Sequence, residues 1–384
     1  MATRSIAGLS QGATLAGLDV LLGNAHIEAV LYRRGGKPQG MADHDDLFTS
    51  QMLALGFTPP ERPADAATSA TVEAADRISR SWTSTHVGVL RPGSEAHKRE
   101  VCRMFRETFN PYRPSVIPWP KLSPEMLQRL TSLPIWDIAV HTEGRARLRF
   151  AAYAGSIDDP DVRAAVMLNA WEENRHKEVL ANLVKVYGIR LASEPPYRYP
   201  RDPEWTYLVT GYSECIDSFF AFGLFELARR SGFFPPELVE TFEPVIQEEC
   251  RHILLFVNLM AWRRATLPWW RRLYFELRVA VAWTAIAWER IVLARGMGAQ
   301  SNATGQDSNF TASSAKAVTP VEMDVRDLMM LCLKENDRRF AGYDSRLLRP
   351  TTVPRLIRLA LLATKPWTRK KHRHRAQPES LHNP

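Results

Sequence analysis

Twice in this chain a pair of glutamates is followed, after one intervening residue, by arginine and histidine: Glu172-Glu173-Asn174-Arg175-His176 and Glu248-Glu249-Cys250-Arg251-His252. Residues three apart on a helix project from one face, so Glu173 with His176, and Glu249 with His252, each aim a carboxylate and an imidazole the same way. Each pair is half of a metal site. A single such pair arises often by chance on a solvated helix face, and two copies with the same flanking residues are a much stronger signal.

The elements that must position these groups are marked by punctuation along the chain. The first periodic segment begins at Pro134 and ends before Gly155; the second has Asp159 as N-cap and Pro160 as first helical residue, and ends before Gly188. The third starts at Asp202-Pro203 and stops before Gly232, and the fourth runs from Pro235-Pro236 to about Ala265, ahead of Pro268. Proline pre-sets φ at a helix start and glycine accepts the left-handed conformation just past its end. Four helices of roughly 20 to 30 residues, about 30 to 45 Å long, follow. Short links make each outer pair an antiparallel hairpin. The middle link, Gly188 to Asp202, can stretch about 50 Å, enough to cross the length of a bundle.

The remaining ligands should come from the partner helix of each hairpin, at a similar distance from the connecting loop. Glu143 stands as far before the first loop as Glu173 stands after it. In the second hairpin Glu214 and Asp217 both fall near the level of Glu249 and share a face. Glu214 is favoured because glutamate bridges two metals more readily, while symmetry about the loop favours Asp217. Around a metal-bound imidazole the other N–H usually goes to a carboxylate, a role within reach of Glu172 and Glu248, with Arg175 and Arg251 available to anchor them; an ordinary solvated helix face is the plainer reading of those four. Four facing carboxylates in a core repel one another and must be neutralised, which two Fe(II) ions would do. Mixed oxygen and nitrogen donors suit iron or manganese.

These motifs resemble those of the ferritin-like di-iron carboxylate proteins, a superfamily that includes rubrerythrins, ribonucleotide reductase small subunits, acyl-carrier-protein desaturases and bacterial multicomponent monooxygenases. The resemblance covers about residues 132 to 265. Glu172 to His176 is similar to the first desaturase motif, whereas Glu214 with Asp217 looks like the paired carboxylates of rubrerythrins. The resemblance implies an all-α fold: a ferritin-like four-helix bundle of two antiparallel hairpins joined by a long crossover, with helical N- and C-terminal extensions. It also implies two iron ions, with Fe/Mn and Mn/Mn pairs as alternatives. Glu143 and Glu214 would come from the first and third helices, Glu173 and Glu249 would bridge or cap, and His176 and His252 would each hold one metal.

Around the bundle (131–266) the sequence divides into an irregular and helical N-terminal part (1–130), an aromatic and arginine-rich helix (267–299), a flexible linker (300–320) and C-terminal helices with a basic tail (321–384). Trp262-Arg263-Arg264 at the end of the bundle and Pro268-Trp269-Trp270-Arg271-Arg272 just after it precede the uncharged run from Val279 to Trp288. Tryptophan beside arginine on such a helix suits an interfacial anchor. Packing of the aromatics onto the bundle, with solvated arginines, is the preferred reading and weak peripheral membrane contact the second. Val321 to about Ala341 reads as a helix and Val353 to Ala363 as a short apolar basic one. The tail from Lys365 reads as disordered.

Composition narrows the rest. The 384 residues carry 45% hydrophobic and 24% charged side chains, ordinary for a globular chain. Four cysteines without a CxxC pair argue against zinc ribbons, rubredoxin modules and disulfide scaffolds, and fit a reducing, cytoplasmic setting. The net charge of +8 is concentrated in the tail and implies no specific nucleic acid. The expected function is a di-iron oxidoreductase that activates O2 to hydroxylate, desaturate or oxygenate an organic substrate of apolar or lipid-like character, with electrons from an external donor. Iron oxidation or peroxide scavenging, and a membrane-surface or interaction protein with a structural metal, are the alternatives. A homodimer stays open.

Overall fold

A computed structural model describes residues 44–59, 69–111, 119–133, 135–192, 197, 199–296 and 324–374. Among them the chain is all-helical: α1 (His44–Ala54), α2 (Ser69–Arg80), α3 (Glu95–Glu107), α4 (Pro124–Thr131), α5 (Trp136–Ala154), α6 (Pro160–Val186), α7 (Pro203–Ser231), α8 (Pro236–Thr266), α9 (Trp269–Gly296), α10 (Val325–Phe340) and α11 (Thr352–His374). The linker at 300–320, residues 1–43 and Pro134 lie outside the described residues.

The helix starts show why these segments fold locally. The Asp159 carboxylate accepts from the backbone N–H groups of Asp161 and Val162, each at 3.1 Å, and Pro160 opens α6. Asp202 does the same for Trp205 N–H at 2.9 Å, ahead of Pro203. A capping carboxylate satisfies orphan N–H groups and complements the helix dipole. Gly232 ends α7 at φ +64°, a conformation that favours glycine.

Side-chain pairings fix how α5 to α8 run. Glu143 faces His176 and Arg147 meets Asn174, so α5 and α6 are antiparallel. Ser218 bonds Glu249 and Glu204 bonds Arg263, so α7 and α8 are antiparallel too. Between the hairpins, Glu172 pairs with His252 and Glu248 with His176, while Tyr153 stacks on Tyr207 and Arg149 reaches Thr210. Those pairings make α6 antiparallel to α8 and α5 antiparallel to α7. Consecutive helices α6 and α7 therefore run the same way, and the chain between Gly188 and Asp202 must travel back along them. Close approach of α7 to α8 depends on Gly211: a methyl there would stand 2.3 Å from the Phe256 ring.

Around these four, α3 lies across α6 and α8, α1 packs on α5, and α9 and α10 pack on α7. The main core joins apolar residues of α3 and α5 to α9, among them Val101, Phe105, Leu148, Phe222 and Leu254. Two C-terminal expectations need correction. The aromatics that open α9 do not pack: Trp269 and Trp270 are 76% and 54% exposed, because Phe275, Val279, Ala282 and Ile286 form the face that docks on the core. The last helix does not stop at Ala363 but runs to His374, through lysines and arginines that are good helix formers.

Candidate metal centre

On α6 and α8 the i, i+3 spacing does bring each glutamate and histidine onto one face, and the antiparallel packing turns the two faces together. Ligand atoms of Glu173, His176, Glu249 and His252 lie within 4.8 Å of one another, a buried cluster with the donors to hold a metal ion. The contacts are reciprocal: His252 Nδ1 is 2.8 Å from Glu173 Oε1, and His176 Nδ1 is 3.1 Å from Glu249 Oε1. The two imidazole rings stack with centroids 5.3 Å apart. From α5, Glu143 Oε2 approaches His176 Nδ1 to 3.8 Å.

Glu214 and Asp217 of α7 line the same cavity but differ in their partners. Asp217 Oδ2 accepts from Arg290 of α9 at 2.6 Å and from Ser213 at 3.0 Å, so it is engaged by a cation of its own. Burial pushes the Glu214 carboxyl well above its usual range, and the charges of Glu173 and Glu249 push it further. Of the two residues, Glu214 is the one that responds to the cluster.

Behind the histidines a second layer is exchanged between the helices. His176 Nε2 is 2.8 Å from Glu248 of α8, and His252 Nε2 is 2.9 Å from Glu172 of α6. An ionised carboxylate can only accept, so each Nε2 carries a proton and each Nδ1 faces the cluster, where a neutral ring has a lone pair to offer a metal. Without metal, burial lowers the His176 pKa, but its contacts with Glu143, Glu248 and Glu249 outweigh that and raise it well above the usual value. Arg251 donates to Glu172 at 2.6 Å, and Arg175 donates to Glu248. All six of these side chains are buried. Burial alone would raise the pKa of Glu172, but Arg251 and His252 outweigh it and hold the carboxyl at about 2. Two carboxylates and two guanidinium groups leave this layer neutral.

The inner carboxylates have no such cations. Burial, reinforced by Glu143 and Glu249, pushes Glu173 well above the ordinary carboxylate range. Glu249 goes the other way, because contacts with His176 and His252 outweigh its burial. His176 Nδ1 and His252 Nδ1 have no carboxylate aligned for a hydrogen bond, although Glu249 and Glu173 stand 3.1 and 2.8 Å away. Buried polar atoms without partners are rare in folded proteins. Two such nitrogens converging on acids that repel one another fit a cation: His176 and His252 offer one nitrogen each, and Glu143, Glu173, Glu214 and Glu249 offer oxygens.

Three further features were not readable from the sequence. The arginines of the second layer are themselves held by the end of α3: Arg251 donates to Thr108 Oγ1 at 2.8 Å and to the Phe105 carbonyl, and Arg175 donates to the Asn110 carbonyl at 2.6 Å. Phe105 and Phe109 lie against the two guanidinium planes. Backbone carbonyls carry no signal in a sequence, and only Thr108 offers a polar side chain that could have hinted at this support. Asn169 and Ser218 add hydrogen bonds of 3.3 Å to Glu173 and Glu249. Finally, a cavity of about 310 Å³ opens onto Glu143, Glu173, His176, Glu214 and Glu249 and is walled at its far end by Leu133, Trp136, Leu183, Leu224 and Phe242.

Comparison with protein families, with curated proteins and with solved structures finds no match to this chain. The reading of the site therefore rests on its own geometry.

Proposed function

We propose that the chain is a di-iron carboxylate oxidoreductase built on a ferritin-like four-helix bundle, which uses O2 to oxidise an organic substrate. The observation that carries the reading is the buried cluster of His176 and His252 Nδ1 with Glu173 and Glu249, two nitrogens and two acids gathered with no arginine or lysine among them, and a carboxylate from each of α5 and α7 beside them. The senses of α5 to α8 support the bundle, since two hairpins with a crossover between them are its topology. Glu143, Glu173 and His176 would hold one ion, and Glu214, Glu249 and His252 the other, with Glu173 and Glu249 placed to bridge. Bound iron would supply electrons and open coordination positions for the reduction of O2.

The chain's own residues have separate tasks. Glu248 and Glu172 fix the ring orientation of His176 and His252, so each Nδ1 already faces the acids before any ion arrives. Arg251 keeps Glu172 ionised, and Arg175 and Arg251 hold the two carboxylates in place. The cavity, lined mostly by apolar side chains, offers room for an apolar organic molecule next to the acids. That cavity favours substrate oxidation over iron storage or peroxide scavenging, which need none. All four cysteines are single and buried, so electrons would come from a separate donor.

Elemental analysis of protein reconstituted anaerobically with Fe(II) tests the reading. Wild type should hold about two irons per chain, and Glu173→Gln and Glu249→Gln should lose most of that metal while staying folded. The reduced protein should consume O2. Folded wild type that takes up no iron would sink the proposal.

A further inference from the structure

A second region of the molecule breaks the usual rule for surfaces. On α9 the exposed positions from 273 to 287 are Leu273, Tyr274, Leu277, Ala280, Val281, Thr284 and Ala287, with no charge among them. Trp269 and Trp270 extend this stripe at its N-terminal end, flanked by exposed Arg271 and Arg272. The large apolar members of the stripe are between 49% and 76% exposed. Scattered apolar residues on a surface are normal, but a contiguous run over several helical turns marks an interaction site.

A second stripe accompanies it. On α11, Leu356, Leu359 and Leu362 are exposed beside Arg355 and Arg358. The helix contains seven lysines and arginines and no acidic residue. Both helices flank the same part of α7: Trp283 of α9 and Val353 and Ile357 of α11 pack in one cluster with Phe219. No helix among the described residues is long and apolar enough to cross a membrane.

We propose that the outer faces of α9 and α11 dock onto the surface of an anionic lipid bilayer, with the tryptophans and leucines entering the headgroup region and Arg271, Arg272, Arg355 and Arg358 meeting lipid phosphates. Charge decides for lipid over a protein partner. The exposed positions of both stripes join apolar side chains to arginines, with tryptophan at the edge, as in helices that lie in a membrane interface. The acids nearest to them, Glu276 and Asp337, are paired with Arg264 and Arg358. A second copy of this chain would bring the same cations against themselves. The inference does not depend on the metal, although α9 also lends Ile286 and Glu289 to the cavity wall, so under the function proposed above an apolar substrate could pass from bilayer to cavity beside this helix.

Co-sedimentation of the full chain with vesicles tests it. Binding should be strong to phosphatidylcholine mixed with phosphatidylglycerol, weak to phosphatidylcholine alone, and reduced by salt. Trp269→Ser/Trp270→Ser and Arg271→Glu/Arg272→Glu should each lower partitioning about tenfold or more with an unchanged thermal melt. Failure to sediment with the anionic vesicles would overturn the proposal. So would a stable dimer that the tryptophan variant converts to monomer, which would assign the face to a second copy. Iron content is measured separately, so a failure here leaves the metal reading standing or falling on its own.

Discussion

The faces of α6 and α8 that meet in the core, and the outer faces of α9 and α11, depart from the ordinary distribution of side chains in opposite ways. The first buries glutamates, arginines and histidines; the second displays tryptophan and leucine to solvent. Both are unfavourable unless something answers them. For Glu172 and Glu248 the answer lies within the chain, in Arg251 and Arg175. Glu173 and Glu214 have histidines and other acids for charged neighbours, with no arginine or lysine beside them, and the α9 stripe has no cover among the described residues. The lesson is that an unusual region is informative only after its internal compensation has been subtracted. What remains here calls for cations at one place and an apolar, negatively charged surface at the other.

The strongest way to break this comparison is to remove an internal answer. Arg251→Met would leave Glu172 buried without its principal cation and would vacate the contacts to Thr108 and Phe105. Losing one partner of a buried ion pair costs about 3 to 5 kcal/mol. Arg271→Met, on the exposed side of α9, should stay within about 0.5 kcal/mol of wild type. Urea denaturation of both variants checks the contrast, and equal losses would mean that the exposed arginine has a partner.

A smaller effect separates the metal-dependent carboxylates from the self-neutralised ones. In the metal-free protein the pKa values of Glu173 and Glu214 are raised above their unfolded values. Above about pH 4.5 the unfolded chain has released these protons while the folded protein still holds them, so stability falls as pH rises through the folded pKa values. The slope is at most about 1.4 kcal/mol per pH unit for each group still protonated. Glu172, held at about 2, acts in the opposite sense and lower window, adding stability that is lost as pH drops from the unfolded value toward 2. Chelated protein should therefore lose Tm relative to iron-loaded protein as pH rises above about 4.5. Parallel curves would show that the inner acids are not what the metal relieves.

Much of this could be read in the sequence, and the limits have physical causes. Helix ends were legible because proline, glycine and capping aspartate act locally, as at Asp159-Pro160 and Gly232. The convergence of Glu173, His176, Glu249 and His252 was legible because two copies of one spacing imply two facing surfaces. The exchange of Glu172 and Glu248 between helices was not, since spacing reports neighbours on one helix and says nothing about which helix faces it. The diversion of Asp217 to Arg290 is a pairing across distant segments and leaves no local trace. The side of α9 that packs was hidden as well: apolar residues encircle the helix, so periodicity could not say that Phe275 turns inward while Trp270 and Leu277 turn out.

That last ambiguity supplies the smallest and most discriminating test. Phe275 and Leu277 are two residues apart on α9, one buried and one 60% exposed. If the outer face has no protein cover, Leu277→Gln removes no packing and should change folding stability by less than about 0.5 kcal/mol. Phe275→Ala should cost about 3 to 5 kcal/mol, because a buried ring leaves a cavity behind it. Thermal or urea unfolding of the two variants in the absence of lipid reads the difference directly. A loss above about 2 kcal/mol for Leu277→Gln, as large as that for truncating a buried leucine, would mean that another part of the chain already covers the stripe, and would close that face to any membrane.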